Sequence, residues 1–150
     1  MGSIKGVLWA AVIANMAVIF LFSAQPAEQS EKLSRSVTRK IVDTLTEADQ
    51  NTVEDANAPI RKYAHFLLYL SLGLLTTLAI ERTVPQKRIA VVWAAALALC
   101  LLYAVSDEAH QLFVAGRGGK ALDVLIDGGG SLAGSGAVVA RRIFAAKIKF

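Results

Sequence analysis

The chain has 150 residues, about one domain's length, of which 55% are apolar and only 19% charged, at a formal net charge of +4. Soluble domains run near about 45–50% apolar on a count that includes glycine, and about 25% charged. The composition therefore excludes a water-soluble enzyme and a disordered chain, and a single cysteine, Cys100, excludes a disulfide scaffold.

Taken in order, the uncharged apolar runs cover 6–22, 63–80 with His65 near one end, 89–106, and 124–140 with Asp127 near one end. At about 1.5 Å rise per residue, each roughly matches a hydrocarbon core about 30 Å thick. Inside lipid every backbone polar group must pair within its own segment, which leaves helices. The expected fold is an all-α membrane protein, a four-transmembrane-helix bundle in one domain over 1–150, with spans at about 4–22, 63–80, 89–106 and 124–140. Lys5 precedes the first run as it would in a leader, but Phe22-Ser23-Ala24 lacks the small-x-small pattern of a cleavage site, so this helix is expected to be retained.

The outer loop 23–60 carries Leu33, Val37, Ile41 and Leu45 at steps of four, one stripe of a candidate amphipathic helix in the first extracytoplasmic loop. The plain reading is a solvated helix resting on the bundle; the functional one is a lid or lipid-surface sensor. The acidic stretch from Asp43 to Asp55 has no periodicity and reads as a solvated connection. Gly116 to Lys120 lacks the spacing of a phosphate loop and reads as a flexible turn, and Gly130 and Gly134 suit close helix packing. Cys100 lies mid-span and reads as a small apolar group.

Cationic residues set the expected orientation. Lys5, the 82–88 loop and the basic tail after residue 140 carry eight cations against the single acid Glu81, while the opposite face dilutes eight cations among eleven acids. Both termini are thereby expected to be cytoplasmic. The polar residues near the span ends, Gln25, Arg61, Lys62, His65, Tyr69, Asp107, Glu108, His110, Gln111, Arg117, Asp123 and Asp127, all fall at the exits of spans one and three or the entries of spans two and four. An alternating bundle places those ends on one face. Ionisable groups within a span generally face the bundle interior with partners. Arg61, His65 and Tyr69 share one side of the second helix by their spacing of four, and Asp123 and Asp127 share one side of the fourth. Arg117, Lys120, Lys62 or Arg61 are expected to reach those two carboxylates, forming an outward polar pocket.

Ser23-Ala24-Gln25-Pro26, Arg61-Lys62-Tyr63-Ala64-His65-Phe66 with Tyr69 and Gly73, Ser106-Asp107-Glu108-Ala109-His110-Gln111 with Phe113 and Arg117, and Asp123, Asp127 and Gly130 together resemble the VanZ-like family across essentially the whole chain. The resemblance implies a small integral membrane protein of the bacterial cytoplasmic membrane. The family's founding member is associated with low-level resistance to the glycopeptide teicoplanin. It also implies Gln25, Lys62, His65, Tyr69, Asp107, Glu108, His110, Gln111, Arg117, Asp123 and Asp127 as the motif residues.

His65 and His110 with Asp107 and Glu108 offer nitrogen and oxygen donors, yet no standard metal-ligand spacing supports a metal. A hydrogen-bonded acid and base network is expected, with no metal and no cofactor. In a catalytic version, His110, Asp107, Glu108 and His65 are the reacting set, a histidine oriented by a carboxylate serving as general base. Arg117, Lys62, Arg61, Gln25, Tyr69, Gln111, Asp123 and Asp127 are the candidate ligand-binding residues. The expected partner is a membrane lipid or lipid-linked envelope precursor, held at its anionic headgroup, with no nucleic acid. A headgroup hydrolase or transferase, and an accessory subunit of another membrane protein or a homo-oligomer, are the alternatives.

Overall fold

A computed structural model describes residues 2–45, 50–85 and 88–148 and, among them, contains helices and no strand. In chain order these are α1 (Gly2–Ser23), α2 (Ala27–Leu45), α3 (Gln50–Thr83), α4 (Ile89–Gln111) and α5 (Ala121–Lys147). Three helical stretches, Ile4–Ser23, Thr52–Thr83 and Ile89–Gln111, are long and apolar enough to cross a membrane. The 27 residues of α5 span ~40 Å, but Asp127 and a run of glycines and serines dilute its apolar character.

The bundle is organised around α3, which packs against all four other helices and most extensively against α5. Small residues explain that intimacy. A Cβ added at Gly130 or Gly134 would collide with the carbonyl oxygens of Phe66 and Leu70, and one added at Gly73 would collide with the Ser131 carbonyl. The two backbones are thus in direct contact, as small-residue helix packing allows. On the other side, Val12 and Ile19 of α1, Tyr69 and Leu72 of α3, and Cys100 and Ala104 of α4 form the apolar core. Polar ties cross it: the Tyr103 hydroxyl donates to the Met16 carbonyl at 2.6 Å, and the Trp93 indole to Ser135 at 3.0 Å. At the end bearing the basic tail, Glu81 of α3 lies 3.6 Å from Arg141 and 3.4 Å from Arg142 of α5.

The segment 23–60 departs from the expected loop. It is a helical hairpin of α2 and the first third of α3, so α3 starts well before the expected span boundary at 63 and runs unbroken through Pro59. The Asp43–Asp55 stretch is largely helical, with 46–49 outside the described residues. Only a narrow stripe of it is covered, so its sequence shows no clear apolar periodicity. Val42 and Val53 are buried between the two helices, Thr38 donates to Asn57 at 3.2 Å, and Arg35 reaches Glu54 at 3.5 Å. The amphipathic helix is α2, and its apolar stripe is about half covered: Leu33, Val37 and Ile41 are 47%, 46% and 42% exposed. The orientation cations Lys87 and Lys149 lie outside the described residues.

Candidate functional site

The last turns of α1 and α4 and the first turns of α5 meet beside the middle of α3. A helix ends with carbonyl groups that lack intrahelical partners and begins with free N–H groups, and the site is assembled from such ends. Asp107, one turn before the end of α4, is 3% exposed. Its Oδ2 accepts from the Ser23 hydroxyl at the tip of α1 at 2.7 Å and from Gln111 Nε2 at 3.4 Å. The same Gln111 amide donates to Glu108 Oε2 at 3.3 Å. Gln111 Oε1 accepts from Arg117 Nη1 at 3.4 Å, and Arg117 Nη2 donates to the Phe22 backbone carbonyl at 2.9 Å. A cation thereby sits against the negative end of α1.

The loop that delivers Arg117 is tied down at both ends. The Ala27 N–H donates to the Ala115 carbonyl at 3.1 Å, and Gly116 takes the left-handed φ of +73° that a glycine tolerates without strain. Beyond it, the Lys120 backbone N–H donates to Glu108 Oε1. Glu108 therefore caps α5 from a neighbouring helix, where Lys120 provides no side-chain cap of its own. Burial, with the Arg61 guanidinium as a nearby like charge, lowers the Arg117 pKa from its ordinary value; Asp107 and Glu108 act in the opposite sense. Arginine stays protonated under such a shift.

Across this network, His65 Nδ1 of α3 lies 3.7 Å from Asp127 Oδ1 of α5. One donor atom each from His65, Asp107 and Asp127 fall within 4.8 Å of one another. Beside His65 and Asp127 opens a polar pocket of about 310 Å³, walled by these two residues and by Arg61, Lys62, Arg117 and Asp123. A second, largely apolar groove of about 320 Å³ runs beside it, between Phe22, Leu33, Val37, Ile60, Ala64 and Leu68. Arg61, His65 and Arg117 border both cavities.

The structure brings together His65, Asp107, Glu108, Gln111, Arg117 and Asp127, and places Arg61, Lys62 and Asp123 on the pocket wall. Gln25 lines the apolar groove instead. Tyr69 is fully buried in the core, one turn further along α3 from His65, and its hydroxyl has no hydrogen-bond partner among the described residues. His110 stands apart from the other histidine: its ring packs on Phe20 at 4.9 Å and its buried Nδ1 is unpartnered. The expected reach of lysine or arginine to Asp123 and Asp127 is corrected by the geometry. Among the described residues, the charged partner within 4.0 Å of Asp127 is His65, and no Lys or Arg side chain comes that close to Asp107, Glu108, Asp123 or Asp127. Side-chain chemistry alone does not reveal the contributions of the Phe22 carbonyl and the Lys120 N–H, although free groups at helix ends were a general signal for both.

The sequence pattern of the family described as VanZ/LLP1 matches residues 8–144. The chain belongs to the VanZ/LLP1 family. With its apolar helices, this membership makes it a VanZ-like membrane protein. No curated protein and no solved structure matches the chain. The matched region contains every residue of the site just described. Within this VanZ/LLP1 fold the placement of His110 has a direct consequence. Because its buried nitrogen is unpartnered and its ring packs on Phe20, His110→Phe keeps the ring contact and removes an unpaired polar atom. The thermal midpoint of the purified protein should stay within a few degrees of wild type; a fall of more than about 10 °C would show a hidden polar role for the imidazole.

Proposed function

We propose that this VanZ/LLP1 protein binds an anionic lipid or lipid-linked envelope component in the pocket at the end of the bundle, with the headgroup among Arg61, Lys62 and Arg117 and the chain in the adjoining groove. The observation that carries the reading is the shared border: a cation-rich polar pocket and an apolar groove of similar volume meet at Arg61, His65 and Arg117. That arrangement suits an amphiphile, whose two halves need opposite surroundings. Arg117 retains a buried Nε with no partner, so its guanidinium has a donor left for an anion.

In this reading α5 is the fourth span of one membrane domain over 1–150. It packs along α3 and α4, with Asp123 and Asp127 near one end and its arginines at the other. In the same reading both termini lie on the cytoplasmic side of a bacterial inner membrane and the pocket at the outer leaflet, an orientation that the excess of cations at the opposite end supports. Sequestering or altering an outer-leaflet component would change the surface that a glycopeptide such as teicoplanin meets. The half-exposed stripe of α2 suits the interface beside the groove rather than water.

The test is mass spectrometry of lipids retained by the detergent-purified protein. Arg117→Ala is expected to reduce an anionic species at least about tenfold, as loss of a charged hydrogen-bonding anchor would. The same lipid profile in wild type and variant would overturn the reading. The pairing of His65 with Asp127 inside the pocket favours a second reading, in which the headgroup is hydrolysed or transferred with His65 as general base. Membranes with and without the protein would then differ in headgroup composition, which binding alone does not produce.

A further inference from the structure

We infer that His65, Asp107 and Asp127 form a binding site for one divalent first-row transition cation, of the Mn²⁺ or Zn²⁺ class, beside the polar pocket that His65 and Asp127 line. The three residues come from α3, α4 and α5, and each presents a donor atom within 4.8 Å of the other two. Metal–donor bonds of about 2.0–2.2 Å hold neighbouring donors about 3–3.5 Å apart, so small rotations of the carboxylates close the set. The site stands on its own residues and does not depend on the lipid reading.

Two further observations point to a cation rather than to an internal salt bridge. Asp107 and Asp127 are 3% and 2% exposed, and the Oδ1 of each is buried without a hydrogen-bond partner among the described residues. A buried carboxylate oxygen left in that state is costly. The local charges also do not balance. Among the described residues no Lys or Arg side chain comes within 4.0 Å of either aspartate, and His65 faces Asp127 at 3.7 Å. Arg117 directs two of its donors to the Phe22 carbonyl and to Gln111 instead. Even a protonated His65 leaves two carboxylates around one positive charge, a net negative cluster that a divalent cation bound to the neutral imidazole neutralises.

The donor set selects the metal class. One imidazole nitrogen with two carboxylates suits zinc, manganese or iron better than calcium, which takes a shell of six or more oxygens. Three protein ligands with one side open to a pocket is the arrangement in which a metal keeps a position for water or a ligand oxygen. The surrounding groups are already placed for it. Ser23 and Gln111 both donate to Asp107 Oδ2, which turns that carboxylate and leaves Oδ1 for the ion.

The experiment uses full-length protein in detergent, stripped with a chelator and dialysed against Mn²⁺ or Zn²⁺, with bound metal counted by mass spectrometry. About one ion per chain is expected. Its affinity should drop at least about tenfold in Asp127→Asn and in Asp107→Asn, which keep the side-chain size but lose the charge. Less than a tenth of an ion per chain in wild type, or unchanged affinity in both variants, would overturn the inference. Should either variant fail to fold, wild type alone decides the matter. Saturating Mn²⁺ or Zn²⁺ should raise its thermal midpoint, and a midpoint indifferent to both ions would refute the site. The readout is independent of lipid: loss of the cation site would leave an Arg117-dependent lipid in place, and absence of any retained lipid would leave the metal isotherm intact.

Discussion

Gly134→Val should produce the largest loss of stability of any single exchange in the bundle. A Cβ at this position runs into the Leu70 carbonyl and lies 2.9 Å from the Leu74 nitrogen, and both obstacles are backbone atoms of α3 that cannot rotate away. Overpacking of a tight contact typically costs about 1–3 kcal/mol, and valine adds its branch on top of the Cβ itself. The separation of α3 from α5 would also part His65 from Asp127, whose pairing spans the same interface one to two turns away. The measurement is the thermal midpoint of the detergent-purified protein, expected to fall by about 5 °C or more. Gly136 is the internal comparison, since a Cβ there meets nothing within 4 Å. Gly136→Ala should be neutral or slightly stabilising, because alanine is the better helix former by roughly 1 kcal/mol. Equal losses at 134 and 136 would disprove the backbone contact.

Ala64→Trp should have the second-largest effect, on binding rather than on the fold. Ala64 is exposed and lines the apolar groove without touching the polar pocket. An indole there would occupy much of a cavity of about 320 Å³ while leaving Arg61, Lys62 and Arg117 in place. The retained amphiphile should fall by about tenfold or more, the equivalent of about 1.4 kcal/mol or roughly 55 Å² of lost apolar burial at ~25 cal/mol per Å², with the thermal midpoint nearly unchanged. Lipid mass spectrometry of the two purified proteins checks it. Undiminished retention would mean that the chain does not lie in the groove, even if the headgroup lies in the pocket.

The contrast between these two positions shows how differently the two features were encoded. Gly130 and Gly134 stand out in the sequence because small residues at a spacing of four mark a helix face that another backbone can approach. Their partners, the carbonyls of Phe66 and Leu70, carry no side-chain signature, so the identity of the facing helix was settled only by packing. The apolar groove left still less trace. Phe22, Leu33, Ile60 and Ala64 come from three helices and each is an ordinary apolar residue in its own segment. The hairpin of α2 and α3 was hidden for a related reason: a helix buried only along Val53 and Asn57 leaves most of its residues polar, and the hydropathy pattern averages away.

The amino-acid order determined the membrane class, the apolar lengths of the helices and the gathering of Asp107, Glu108, Arg117, Asp123, Asp127 and His65 near one end, since these follow from run length and from which end of a run each polar residue occupies. Tertiary structure alone decided which of them touch. His65 of α3 meets Asp127 of α5 across the close backbone contact of those two helices, while His110 of α4 packs on Phe20 of α1, and neither pairing follows from spacing within any one helix. The same packing leaves Asp107 and Asp127 without a lysine or arginine partner among the described residues, a charge imbalance visible only once three helices are placed side by side.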